Sequence, residues 1–213
     1  MQTRDRPARY TSGVELVEEV VEACGRELWL LRPASAEALL DEEAFEREEF
    51  LPYWAELWPS GVTLARALCG RALGGAHVLE LGCGLGIPAL VAALGGAAVL
   101  ATDWSPDAVS LLRRNAARNG ARLEAAVSSW TAPARELEGA AWDLVLAADV
   151  LYERRNADLL LGLLPRLGGE VLLADPGRPH LRGFLELARA TWQVEREGTV
   201  YRLSRRRGRG QSG

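Results

Sequence analysis

The sequence predicts an α/β fold: a doubly wound, seven-stranded sheet, mostly parallel, that closes with an antiparallel hairpin. Three observations carry this. From His77 onward, short apolar runs ending near Gly or Asp alternate with stretches of helical length. The apolar runs are continuous rather than alternating, as expected of strands buried on both faces. The closing stretch "WQVEREGTVYRLSR" alternates about Glu197-Gly198 and reads as a hairpin, not as one more strand–helix unit.

Taken in order, "HVLELG" (77–82) is the first parallel strand and "IPALVAAL" (87–94) a helix that tolerates Pro88 in its first turn. "AAVLATD" (97–103) is the second strand. "SPDAVSLLRRNAARNG" is a capped helix, with Ser105 as N-cap, Pro106 at the first position and Gly120 at the far end. Val109, Leu112 and Ala116 fall on one face of it. "RLEAAVSSW" (122–130) and "DLVLAAD" (143–149) are the third and fourth strands. "NADLLLGLLPRL" is a helix that Pro165 is expected to kink or end. "GEVLLAD" (169–175) is the fifth strand, "HLRGFLELARAT" a helix, and the hairpin supplies the last two strands. Leu81 to Thr102 carries no charge and is long enough to suggest a membrane span, but its five glycines and Pro88 fit a buried strand–helix–strand unit.

Ahead of the sheet, residues 1–57 read as a small N-terminal extension. "VELVEEVVEACGRELWLLRP" is either a helix and a strand or a hairpin turning near Gly25, and the hairpin is the expectation. "ALLDEEAFEREEF" is an acidic segment with a solvated face. Residues 58–205 form the main domain, and 206–213 a basic, disordered tail, "RRRGRGQSG" beginning at Arg205. Ser60 is expected to cap the helix "VTLARAL".

The bulk properties exclude several classes. The chain has 213 residues, 48% apolar and 25% charged, and a net charge of −4, which gives no global pull toward nucleic acid or anionic membrane. Its first residues lack the apolar core of a secretion signal. Cys24, Cys69 and Cys83 show neither zinc spacing nor a disulfide framework, so the expectation is free thiols in a reducing cytoplasm.

In open α/β sheets, ligands bind beyond the carboxyl ends of the strands. Those ends carry Glu80 with the loop Gly82-Cys83-Gly84-Leu85-Gly86, then Asp103-Trp104, Ser128-Ser129-Trp130, Asp149 running on to Tyr152, and Asp175-Pro176-Gly177. A dinucleotide fingerprint would place glycine at Ile87, so nicotinamide is disfavoured. The pattern Glu-x-Gly-x-Gly-x-Gly followed by Asp103 suits a cofactor with a ribose, a base and a small anionic tail. In that reading Gly82, Gly84 and Gly86 admit the backbone close to the ligand. Asp103 takes ribose hydroxyls, and Trp130 covers the base. Trp104 and Trp58 are further contact candidates, the latter set just ahead of a helix in the aromatic-rich "PYWAELWPSG". No metal site is expected.

"ELGCGLG", "ATDWSP", "WDLVLAADVLY" and the closing hairpin resemble the class I, seven-β-strand methyltransferases that use S-adenosylmethionine and have a Rossmann-like sheet. The resemblance covers roughly residues 58–205. Within it, "PYWAELWPSG" and "DVLYE" resemble the protein-lysine methyltransferases marked by an Asp-x-x-Tyr motif, and "DPGRPHLRGF" resembles the branch acting on the β-subunit of electron-transfer flavoprotein. The resemblance implies Asp149 and Tyr152 as the motif, Asp149 also lying by the cofactor, and Trp58 as the tryptophan before the first helix. It implies a lysine-bearing protein as partner, with no specific nucleic acid and no membrane. The chain contains no lysine, so it cannot methylate a lysine of its own. Asp175, Arg178 and His180 are secondary candidates for substrate contact. A small-molecule N- or O-methyltransferase and a non-catalytic cofactor-binding module are the alternatives.

Overall fold

Residues 14–36, 39, 52–133, 137 and 141–206 are described by the computed structural model. Their strands are β1 (Leu16–Ala23), β2 (Arg26–Pro33), β3 (His77–Leu81), β4 (Ala98–Asp103), β5 (Glu124–Val127), β6 (Leu144–Ala148), β7 (Glu170–Ala174), β8 (Trp192–Glu197) and β9 (Val200–Arg205). Their helices are α1 (Pro59–Ala67), α2 (Ile87–Leu94), α3 (Pro106–Arg118), α4 (Arg154–Leu167) and α5 (Leu181–Ala188), with a short 3-10 turn at Tyr53–Ala55 ahead of α1. The main sheet has seven strands in the order β5-β4-β3-β6-β7-β9-β8. β3 to β7 pair in parallel, and β9 runs antiparallel to both β7 and β8. This is the predicted architecture.

The sheet is packed on both faces with a two-residue period. Val78, Leu144, Leu146 and Leu172 face a core shared with α1, α2 and α3. Leu79, Val145, Val171 and Leu173 face the other, filled by Leu160, Leu163, Phe184 and Leu185 of α4 and α5. Double-sided burial explains why the strands read as continuous apolar runs. The uncharged run Leu81–Thr102 is the end of β3, α2 and most of β4. No helix among the described residues is long and apolar enough to cross a membrane.

β1 and β2 form a separate antiparallel hairpin turning at Cys24-Gly25. It docks on α3 through two asparagines one helical turn apart. Asn119 exchanges hydrogen bonds with Trp29 (2.9 and 2.8 Å), and Asn115 does so with Leu31 (2.7 and 3.2 Å). Each primary amide imitates a neighbouring strand, so the outer edge of β2 is satisfied without one. The acidic segment, apart from Leu39, and residues 207–213 of the tail lie outside the described residues.

Three expectations are corrected. Cys24 and Cys69 are joined in a disulfide that ties the hairpin turn to the segment after α1, leaving Cys83 as the free, buried thiol. Their separation of 45 residues hid the pair, because spacing says nothing of tertiary approach. The expectation of a reducing compartment thereby loses its basis in three free thiols. Pro165 does not end α4, which continues to Leu167. It sits in the last turn, where only the bond to the Leu161 carbonyl is forfeited. β5 stops at Val127 instead of Trp130, because Ser129 and Ala132 close a turn.

Candidate active site

The order in which the parallel strands are added reverses between β3 and β6, and the carboxyl ends of β3, β4, β5 and β6 open there onto a cavity of about 360 Å³. That volume lies in the range of small-molecule sites. Trp58, Glu80, Gly82, Gly84, Gly86, Asp103, Trp104, Trp130, Asp149 and Tyr152 all line it. The structure therefore brings these ten leading candidates to one place, joined by Arg178 of the secondary ones but not by Asp175 or His180.

The floor is built from the β3–α2 loop. Gly86 is the N-cap of α2 with φ of 77°, and a Cβ on it would lie 2.1 Å from Leu112 Cδ1. Gly84 is crossed by the Trp54 carbonyl, which would stand 3.2 Å from a Cβ. Only glycine satisfies both demands at Gly86 without strain. An N-cap glycine has no side chain to offer the helix, and Pro88 has no N–H. A first-turn donor with no intrahelical partner, the buried Ala89 N, is instead taken by Glu80 Oε2 at 2.9 Å, from inside the preceding strand. Glu80 is 1% exposed, and burial raises its pKa to about 8. The Ala89 N–H opposes that shift and the neighbouring Asp103 adds to it.

Asp103 ends β4 and is 4% exposed. Its Oδ2 accepts from Gly84 N and its Oδ1 from Ser105 N, each at 3.0 Å. Burial raises its pKa, and backbone donors led by Ser105 and Gly84 hold the rise back. Each oxygen retains a lone pair for a further donor. Cys83, between these two acids, has its thiol pushed well up by burial and then by Asp103 and Glu80, which removes it as a nucleophile. Ser105 caps α3 as predicted, accepting from Ala108 N at 3.3 Å.

Past β5, Ser128 is 6% exposed and its Oγ has no partner. A buried hydroxyl without a hydrogen bond is costly unless something else supplies one. The turn that shortens β5 folds Trp130 back, so that its ring would lie 3.4 Å from a Cβ on Gly82. Trp104 is 42% exposed at the cavity margin.

The other side of the cavity holds the Asp-x-x-Tyr pair. Asp149 follows β6 with φ of 58°, a left-handed conformation unusual for aspartate. It is buried, and both its oxygens have partners. Oδ1 accepts from Arg178 Nε at 2.7 Å, and Oδ2 takes a long 3.4 Å bond from the Ser60 hydroxyl. Ser60 is thus not the cap of α1. That position falls to Trp58, with Pro59 as the first helical residue and no side-chain cap. The serine points into the sheet edge because the helix begins two residues earlier than read. The pKa of Tyr152 is raised, chiefly by burial, with the neighbouring Asn156 opposing the rise. Its ring lies 5.2 Å from Tyr53, which lies 6.1 Å from Trp58. Trp58 Nε1 donates to the Tyr53 carbonyl at 2.7 Å. Arg178 stands over the Trp58 ring with Cζ 5.3 Å from its centroid. His180 precedes α5 and does not line this cavity.

Ser128, Arg178 and Tyr53 line the cavity but were not among the leading candidates. Ser128 was reachable, since it stands at a strand end beside Trp130. Arg178 stands in the sequence only as a secondary contact for substrate, and its tie to Asp149, which crosses between two loops 29 residues apart, was not legible.

The profile of a family described as "Lysine methyltransferase" matches residues 10–173. A Xenopus laevis protein named electron transfer flavoprotein beta subunit lysine methyltransferase is 37% identical over 139 residues, 60% of this chain and 53% of that one. A Pseudomonas aeruginosa ribosomal protein L11 methyltransferase is 33% identical over 197 residues, 86% of this chain and 63% of that one. The chain thus spans about half the length of the flavoprotein-directed relative. Among solved structures, the Thermus thermophilus 16S rRNA N2 G1207 methyltransferase in complex with AdoMet and guanosine superposes with a TM-score of 0.64. It is 18% identical and the match covers 90% of this chain and 51% of that one, a likeness of fold alone.

Proposed function

The chain belongs to the lysine methyltransferase family, and from that premise we propose that it transfers methyl groups from S-adenosylmethionine to a lysine side chain of a protein substrate. The observation that carries the reading is the two-sided cavity. One side has two buried acids, a glycine loop and an orphaned serine; the other has Asp149 in an aromatic wall.

The residues present fit the cofactor. Asp103 has lone pairs left for two ribose hydroxyls. Ser128 Oγ offers the unmet hydrogen bond beside Trp130, whose ring suits a flat base. Gly84 and Gly86, having no side chains, let an anionic tail come close to the backbone at the start of α2. When bound, S-adenosylmethionine supplies a methyl group on a positively charged sulfur. Trp58 then offers a ring face to that charge.

The protein's part in the reaction is orientation and proton handling. A lysine amine has an ordinary pKa of about 10.4 and must be neutral to attack. Tyr53, Trp58 and Tyr152 strip water from it, which favours the neutral form. Asp149 accepts an N–H and aims the lone pair; Tyr152, against the Tyr53 ring, lines the approach. Holding the amine in line supplies much of the acceleration without a covalent enzyme intermediate. The β-subunit of electron transfer flavoprotein is the first substrate to try, and the reading gives the enzyme a protein partner. In the decisive experiment, tritium-labelled S-adenosylmethionine is incubated with the chain and either purified flavoprotein β-subunit or a cell lysate. Label on protein lysine is expected. Label confined to small molecules, or none, would overturn the reading.

A further inference from the structure

We propose that Arg178 is a positioning residue acting through Asp149: its fixed positive charge compensates the carboxylate, so that an amine arriving there stands as the neutral nucleophile rather than as the ammonium. The inference rests on the lysine-acceptor reading above.

Three separate restraints hold this one long side chain inside the cavity. Nε donates to Asp149 Oδ1 at 2.7 Å. The guanidinium lies over the Trp58 ring, 5.3 Å from its centroid. The backbone beneath is clamped by Asp175, whose Oδ1 accepts from Gly177 N at 2.8 Å and Arg178 N at 2.7 Å. Asp149 Oδ2, by contrast, has only the 3.4 Å contact with Ser60. One oxygen is committed to the guanidinium and the other is left to take an N–H from an acceptor.

The charge balance then decides what kind of amine that acceptor is. A bare, nearly buried carboxylate would hold an ammonium as an ion pair and raise its pKa. The lone pair would stay protonated and unable to attack. With the guanidinium in place the pair is neutral, and arginine does not surrender its proton near neutral pH. The amine can still donate one N–H to Oδ2, but a second positive charge beside Arg178 is disfavoured. In the transfer, the amine lone pair forms the nitrogen–carbon bond as the methyl–sulfur bond breaks with its electrons remaining on sulfur. The cationic methylated amine then loses its proton to water. The other titratable groups facing this space are Tyr53 and Glu56 ahead of α1, Tyr152, Glu153 and Arg155 after β6, Glu80 and Asp103 at the ends of β3 and β4, and the Cys83 thiol between them. Glu153 and Arg155 are paired with each other, and Asp175 lies behind the Arg178 loop. Arg178 is the cation paired with Asp149.

The test compares wild type with Arg178→Met and Arg178→Lys. Flavoprotein β-subunit labelled with carbon-13 at lysine Cε is titrated with pH by NMR, in complex with enzyme and S-adenosylhomocysteine so that no turnover occurs. The lysine signal that changes on complex formation is expected to titrate at least about one pH unit higher with Arg178→Met than with wild type. Arg178→Lys restores most of the wild-type midpoint. In turnover, Arg178→Met moves the pH dependence of kcat upward by a similar amount. It lowers kcat at pH 7 about tenfold or more without raising KM, a split that a loss of packing alone would not produce. Equal midpoints for wild type and Arg178→Met, alongside wild-type labelling of lysine, overturn this inference and leave the function standing. A faster Arg178→Met enzyme at pH 7 also overturns it, because the guanidinium then blocks the acceptor. Wild type that neither binds nor labels a β-subunit lysine overturns both.

Discussion

Glu80 gives the most quantitative prediction, and its sign follows from burial. An ordinary glutamate ionises near 4.5; in the folded protein Glu80 does so at about 8. Between those values the folded state holds a proton that the unfolded state has released, so stability falls as pH rises. The penalty is absent below the unfolded value and complete above the folded one. The difference of about 3.5 pH units, at roughly 1.4 kcal/mol each, sets a ceiling of about 5 kcal/mol. Glutamine at this position keeps an oxygen for Ala89 N and cannot ionise. Glu80→Gln is therefore expected to match wild type within about 1 kcal/mol at pH 5 and to exceed it by about 2–5 kcal/mol at pH 8.5. For a chain of this size the latter is a rise in Tm of roughly 5–15 °C. Urea unfolding of both proteins at the two pH values, with m unchanged, measures it. A stability difference that does not grow with pH would refute the reasoning, since it would mean that Glu80 is ionised in the fold at ordinary cost.

Asp149→Asn should preserve the fold and most cofactor affinity while lowering the methylation rate at least about a hundredfold, the usual range for a lost proton-handling group. Tyr152→Phe should act in the same direction but less, and a wild-type rate for Asp149→Asn with cofactor saturating would make the residue structural. Trp58→Ala should weaken cofactor binding more than Trp54→Ala does, while Trp54→Ala, which removes a ring 8% exposed, should cost about 3–5 kcal/mol of stability; equal losses of affinity and of Tm would mean a shared packing cluster. Asp103→Ala should lower S-adenosylmethionine affinity at least about tenfold by calorimetry, at roughly 1.5–3 kcal/mol for each lost bond to a charged group, and unaltered binding would remove Asp103 from the site.

The order of the elements was legible because double-sided burial writes each parallel strand as an apolar run and each loop as glycine or a strand-end acid. "HVLEL", "LVLAA" and "EVLLA" needed no tertiary knowledge. The site's location followed from the same rule, since ligands lie past the carboxyl edge. What the sequence hid were contacts made between loops. Nothing local tells Ser60 that it will reach Asp149 rather than cap α1, or pairs Cys24 with Cys69 across the hairpin and a helix. The docking of β2 onto Asn115 and Asn119 was equally unreadable, because two asparagines one turn apart on a helix ordinarily mean only a polar face. The span of α4 across Pro165 shows the opposite case, a strong local signal that the end of the helix made harmless.

The four acids at the strand ends share a feature that separates them from the aromatic rim. Each grips a neighbouring segment. Glu80 caps α2; Asp103 ties the Gly84 loop to the start of α3; Asp175 shapes the turn that carries Arg178; Asp149 joins that arginine to Ser60 on α1. The loops around the cavity are thus ordered by folding, and a ligand entering there has little ordering cost left to meet. The rim differs. Tyr53 and Trp104 are 38% and 42% exposed, and Trp58 is held by one hydrogen bond to its own turn and by Arg178. Truncation of any of these acids to alanine, unlike the amide replacements that keep an acceptor oxygen, should therefore change stability and affinity together, because it loosens a loop and removes a contact at once. Substitutions at the rim should change affinity with little change in stability. The ratio of the two losses, measured residue by residue, separates the groups that build the cavity from those that only meet what enters it.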